Sequence, residues 1–292
     1  MKARYVNPFT DFGFKKLFGE EASKPQLMDF LNALLPAHAR IRDLSFRNAE
    51  QLGGLADRKA IFDIYCESVH GERFIVEMQK AKQNYFKDRT VFYATFPIQE
   101  QAEQGSWNYQ LQPVYCVGVL DFTFDDYGSE PERSQVVHEI KLKNQHNAVF
   151  YDKLTFIYLE MPNFRKTEAE LTTRLDKWLY FIQNLVDLTE IPRIFGGEEV
   201  FVKAFQKAEL VNLNPAEKAG YDASLKIYRD LKGVIDTARE EGREEGREEG
   251  VQIGREEGVQ IGLEQGVARL VAGGMAESEA RRLLGRDGAE QV

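Results

Sequence analysis

The residues best suited to chemistry lie in KAIFDIYCESVHGERFIVEMQKA, residues 59–81. Asp63, Glu77 and Gln79 stand there among strongly apolar neighbours. The alternation predicts two strands around Val69-His70-Gly71. On the first, Phe62, Ile64 and Cys66 alternate with Ile61, Asp63, Tyr65 and Glu67; on the second, Phe74, Val76 and Met78 alternate with Arg73, Ile75, Glu77 and Gln79. Each strand thus has an apolar face and an acid-bearing face. A two-residue loop at His70-Gly71 would set Asp63 opposite Met78 and turn the carboxylates to opposite sides. A three-residue loop, Val69-His70-Gly71, sets Asp63 opposite Glu77, with Gln79 two residues along on the same face. Gly71 then supplies the left-handed residue of a type I turn with a bulge. The odd-length loop also keeps the apolar faces together, so it is the expected one.

Two facing carboxylates in a sheet repel, and burial raises a carboxyl pKa unless a cation shares the site. An oxygen-seeking ion such as Mg²⁺ removes the conflict, because water and substrate phosphate complete its shell without a protein cage. Gln79, neutral and adjacent, can orient a water for attack. A plainer alternative stands beside this one: Asp63 and Glu77 as rim residues of a half-solvated strand, balanced by Arg73 or a lysine.

The elements that must position these residues can be read from periodicity. Thr10 or Asp11 can cap a first helix carrying Phe14, Leu17, Phe18, Leu27, Phe30, Leu31 and Leu34, in two pieces broken near Lys24-Pro25. Strand-like runs follow at 41–47, 59–68 and 73–81. Residues 82–104 return to helical spacing, with Pro97 expected to kink or interrupt it. The apolar run 111–122 reads as a buried strand, with further strands at 136–143 and 154–159. Helices are expected at 166–188, 199–209 and from 222 onward. The order is helix, three strands, helix, strand. It predicts an α/β core with a mixed sheet, antiparallel where strands are adjacent in sequence and parallel after the helix.

With those motifs in place the chain resembles the Rpn family of recombination-promoting nucleases and putative transposases, in the PD-(D/E)XK superfamily. The resemblance rests on TDFGFKKLFG, on Asp63 in IFDIYC, on Glu77 and Gln79 in FIVEMQ, and on FKDRTVFYATF and LQPVYCVGVLDF, over roughly residues 5–235. It implies a restriction-endonuclease-like αβββαβ core and metal-dependent hydrolysis of DNA phosphodiesters. Asp63 and Glu77 would be the metal ligands, Mg²⁺ the ion (Mn²⁺ could substitute), and Gln79 would stand where the superfamily usually has lysine. A glutamine positions water but donates no positive charge, so more of the transition-state charge falls on the metal. Asp11 matches the acid of the family's first-helix motif and would reach the metal through water; helix capping is its competing and preferred role. Lys15 and Lys16 could touch phosphate or sit on a solvated helix face. Arg89 and Tyr93, one turn apart, could meet DNA phosphate, neutralise the acidic pair, or simply pack.

Charge and composition narrow the classes. The net charge of −9 excludes a strongly basic nucleic-acid binder, though not a nuclease with a local basic rim. No apolar run approaches the length of a membrane span, and the N-terminus lacks a signal-peptide stretch. Cys66 and Cys116 sit in strand-like runs as buried reduced thiols would, so a cytoplasmic protein is expected. The last region is different in kind. Glycine recurs at 242, 246, 250, 254, 258, 262 and 266, inside REEG, VQIG and LEQG units. In a helix seven glycines cost on the order of 7 kcal/mol relative to alanine. The expected organisation is a nuclease-like domain over 1–235, a charged linker, helical or flexible, over 236–268, and a short helical hairpin over 269–292. Close helix association in 251–272 would give a homodimer.

The function expected is a metal-dependent DNA endonuclease tied to recombination or mobile elements. The contrasting class is a catalytically inactive DNA-binding or assembly module of the same fold that dimerises through its tail.

Overall fold

The computed structural model describes residues 3–51, 60–103, 105–126 and 129–285. Lys59, at the start of the expected hairpin strand, and 286–292, in the expected terminal helical pair, lie outside the described residues. Helices α1 (Asp11–Phe18) and α2 (Lys24–Leu34) precede β1 (Leu44–Phe46), β2 (Glu50–Gln51), β3 (Ala60–Ile61), β4 (Ile64–Ser68) and β5 (Arg73–Gln79). Next come α3 (Phe86–Gln99), β6 (Val114–Leu120), the single turn α4 (Glu130–Arg133), β7 (Val137–Lys143) and β8 (Val149–Glu160). Helices α5 (Arg174–Asn184), α6 (Glu199–Ala208), α7 (Pro215–Ala272) and α8 (Glu277–Leu283) complete the chain. Six strands form one mixed sheet in the order β1-β4-β5-β6-β8-β7. The strands β1, β4 and β5 pair antiparallel, β5, β6 and β8 parallel, and β7 antiparallel on the far edge. This is the αβββαβ core read from the sequence, extended by two strands.

Local chemistry sets the helix limits. The Thr10 hydroxyl accepts the Gly13 N–H at 3.0 Å and caps α1, so Asp11 is the first helical residue and does not fill the capping role. The break between the first two helices falls at 19–23, and Pro25 sits in the first turn of α2, where its missing N–H costs nothing. Pro97 lies in the last turn of α3, and the helix runs on only to Gln99. The helix expected over 166–188 starts at Arg174 instead. Thr173 and Asp176 form a capping box there, preceded by a short 3₁₀ turn.

The two faces of the sheet carry separate apolar clusters. On one side Ile64, Cys66, Phe74, Val76, Met78, Val117, Val119 and Ile157 pack with residues of α1, α2, α5 and α6, among them the fully buried Trp178. On the other, Tyr65, Ile75, Cys116, Phe156 and Tyr158 pack with Phe86 and Ala94 of α3. Phe62 belongs to this second cluster, against the alternation expected for it. The ladder ends at Ile64 and Asp63 lies in a bend, so strand parity no longer applies to Phe62.

The N-terminal segment is joined to residues far along the chain. The Val6 N–H donates to the Ala208 carbonyl at 2.8 Å, Leu210 donates to Arg4 at 2.9 Å, and the Asn7 N–H reaches the Tyr221 hydroxyl at 3.0 Å. Contacts divide the chain after Leu231 into two compact units. In the second unit α7 continues as one helix through the glycine repeats, with residues 239–250 exposed throughout. It ends at Gly273-Gly274, after which α8 packs back with Ala280 buried, as is Val267.

One glycine is required by the sheet itself. Gly118 of β6 lies opposite Glu77, and a Cβ there would stand 3.0 Å from Tyr158 Cδ1 and 3.3 Å from Leu120 Cδ2. Tyr158 cannot yield, because its hydroxyl is hydrogen-bonded to Thr90 of α3 at 2.6 Å. We expect Gly118→Val to destabilise the first unit by about 1–3 kcal/mol through overpacking, read as a lowered denaturant midpoint. A Gly118→Val protein as stable as wild type would mean that this layer is loosely packed.

Candidate metal centre

The hairpin that holds the carboxylates has the odd-length loop. Ser68 N–H donates to the Glu72 carbonyl at 2.9 Å, Gly71 N–H to the Ser68 carbonyl at 3.0 Å, and Gly71 adopts φ +87°. That conformation favours glycine. The register pairs Ile64 with Val76, and continued by one residue it sets Asp63 beside Glu77. The two side chains lock onto each other's strand. The Met78 N–H donates to Asp63 Oδ2 at 2.7 Å, and the Asp63 N–H donates to Glu77 Oε1 at 3.2 Å. Each carboxylate therefore keeps one oxygen uncommitted.

These groups titrate abnormally. Burial and the neighbouring Asp63 hold the Glu77 carboxyl well above the ordinary carboxylate range. Burial likewise raises Asp63, against the opposing pull of the Met78 N–H. Arg73, the cation that the plainer alternative assigned to them, is turned to Glu67 and Glu100 instead.

The other sequence-predicted residues divide. Asp11 pairs with Lys15 at 2.9 Å and is near enough to raise Asp63 further. Burial opposes the charge on Lys15, but Asp11, with Asp63 and Glu77 behind it, holds its pKa above the usual value. Lys16 leaves this group and is engaged by Glu217 and by Glu20 at 3.3 Å. Gln79 is fixed at both ends: its carbonyl oxygen accepts from Arg89 at 2.6 Å and its amide donates to the Ala81 carbonyl at 2.9 Å. Arg89 also packs on the Phe86 and Tyr93 rings at 5.3 and 5.8 Å. Tyr93 stands edge-on to Phe62 at 5.2 Å, and burial, followed by Glu77, raises its pKa.

Lys80 was not foreseen. Burial lowers its pKa while Asp11 and Asp63 pull it back up, so its ammonium shares their field. It follows the last residue of β5, beyond the reach of strand alternation; its adjacency to Gln79 was the only available signal.

The family whose sequence pattern matches, described as PD-(D/E)XK nuclease family transposase, covers residues 8–238. The chain belongs to this family. No curated protein and no solved structure matches it significantly. The αβββαβ sheet is that of a PD-(D/E)XK protein, and the matched span stops just short of the glycine repeats. PD-(D/E)XK nucleases generally use divalent metals. Among the described residues no group of three His, Cys, Asp or Glu side chains is gathered to hold an ion. The donor set is two carboxylates with one uncommitted oxygen each. This fits a hard cation that fills its shell with water and phosphate, and would not fit a fully protein-ligated site. Among the described residues no helix is long and apolar enough to cross a membrane.

The raised carboxyls have a consequence for stability without metal. A carboxyl whose pKa is higher folded than unfolded favours folding below its unfolded value, and that contribution is lost as pH rises through the folded value. In chelator-containing buffer the melting temperature should therefore fall as pH rises from the ordinary carboxylate range through neutrality. Glu77→Gln, which keeps an acceptor for Asp63 N–H, should flatten that decline. The variant should gain about 2–4 °C on wild type for each 1 kcal/mol relieved. Parallel curves for the two proteins would show that the pair bears no repulsion.

Proposed function

We propose that this PD-(D/E)XK family protein is a Mg²⁺-dependent endonuclease that hydrolyses DNA phosphodiester bonds in recombination or mobile-element transactions, in the cytoplasm. The observation that supports it best is the Asp63–Glu77 pair, set side by side in a half-buried site with one oxygen of each left over. Asp63 and Glu77 would hold the ion. Bound there, it would supply Lewis acidity to a phosphoryl oxygen and relieve the carboxylate repulsion. Gln79 retains one amide N–H after its bond to Ala81, enough to orient a water toward phosphorus. Arg89 acts through Gln79 as a positioning residue. Lys15 and Lys80 offer positive charge to the phosphate, a task for which Lys16 is already engaged elsewhere.

The second reading, an inactive DNA-binding or assembly module, draws support from Gln79 itself, a neutral residue with both ends bonded. Supercoiled plasmid with Mg²⁺ separates the two. Wild type should nick it and Asp63→Ala should fall to background, whereas DNA binding without nicking in both proteins would favour the inactive module. Arg89→Ala should lower the nicking rate about 100-fold, the scale of a small misplacement of a reacting group. Its KM for DNA should change little, and Arg89→Lys should recover only part of the rate, since lysine lacks the planar fork. An equal rise in KM with unchanged kcat would make Arg89 a DNA contact instead.

Metal linkage gives an independent measurement. At about 100 times the dissociation constant an ion should add roughly 2.7 kcal/mol to stability. Glu77→Gln should lose most of that gain, and Gln79→Ala should keep it while losing rate. A Glu77→Gln protein that retained both the Mg²⁺ response and the nicking would place the metal elsewhere.

A further inference from the structure

The exposed helix face over 251–266 is not explained by the nuclease site. Val251, Ile253, Val259 and Ile261 are between 48% and 67% exposed, in a helix that has no use for four large apolar side chains in water. The repeat has four positions, and successive residues turn about 100° on the helix. Glycine therefore forms a stripe that turns about 40° around the axis with each repeat. The residue after each glycine falls on one edge, the residue before it on the other, and the fourth position points away.

The two edges change together. Where the residue after a glycine is Arg243, Arg247 or Arg255, the residue two places on is Glu245, Glu249 or Glu257. Where it is Val251 or Val259, the residue two places on is Ile253 or Ile261. Residues two apart on a helix do not meet, so this concerted exchange serves nothing inside one chain. Within one chain the four-residue period stacks like charges at i and i+4, which repel. Among the described residues Arg239, Arg243, Arg247 and Arg255 make no ion pair. A Cβ on Gly254, Gly258 or Gly262 would meet nothing within 4 Å, so no packing within the chain calls for these poor helix formers.

We propose that this face binds the same face of a second copy, the two helices parallel and in register, crossing at their glycines. A two-fold axis along a parallel pair brings the first edge of each helix against the second edge of the other. Where the two stripes stay in contact, arginine then faces glutamate and valine faces isoleucine. An antiparallel pair would set arginine against arginine and glutamate against glutamate. Rows of residues four apart interdigitate at a crossing near −50°, the right-handed sense that a four-residue period demands, and glycine lets the backbones approach. The pairing does not depend on the nuclease reading.

Sedimentation of the full chain at micromolar concentration should show a species of twice the 33.5 kDa chain mass. Gly258→Leu should convert it to monomer while leaving helical content equal or higher, because leucine is the better helix former. Arg255→Glu should weaken association at least about tenfold at low salt, where exposed charges are least screened, and adding Glu257→Arg should restore it. Cys66 and Cys116 are buried free thiols, so a new exposed cysteine reports orientation. Gly254→Cys should cross-link to itself on mild oxidation. A monomeric wild type, a Gly258→Leu dimer, a failure of the charge swap to restore association, or cross-linking only between Gly254→Cys and Gly262→Cys chains would each overturn the proposal.

Discussion

The constraint on which the candidate site depends is the enforced closeness of two half-buried carboxylates. Asp63 and Glu77 cannot separate, because each accepts a hydrogen bond from the backbone of the other's strand. The hairpin register thus sets both the geometry and the electrostatics of the site. The same two bonds decide which oxygens remain available, and burial on both sides of the sheet decides how unwelcome the second negative charge is. Lys15, Lys80 and Arg89 are arranged around that unbalanced charge without any of them forming an ion pair with it.

Several features were legible because they are local. A glycine at position 71 and an odd-length loop determine the register, and register alone determines that Asp63 and Glu77 lie together. The order of elements sufficed for the mixed sheet, since a helix between two strands permits a parallel return while a short loop does not. Phe62 was misassigned because strand parity holds only while the ladder continues, and the ladder stops at Ile64. The choice between Thr10 and Asp11 as cap turned on a dihedral angle that composition does not encode. Lys80 and the Arg89–Gln79 bond are tertiary facts. Nothing in their spacing says which way a lysine turns after a strand ends, or that a helix ten residues later will clasp a glutamine.

The tail shows the opposite balance. Intrinsic propensity argued against a helix, yet α7 runs unbroken through the glycines. Glycine weakens a helix without breaking it as proline would. What propensity describes there is a weak helix, a state that an additional partner surface would complete.

The bonds that join residues 4–12 to residues 208–224 have a bearing on synthesis. The hairpin residues are complete once residue 79 has been made, but α1 gains these particular bonds only when the chain has been made through Tyr221 and Ser224. At roughly 5–20 residues per second this is an interval on the order of ten to thirty seconds. Throughout it α1, which carries Asp11 and Lys15, lacks the bonds to Tyr221 and Ser224. The full set of bonds that holds α1 in the first unit is therefore made only when that unit is nearly fully translated.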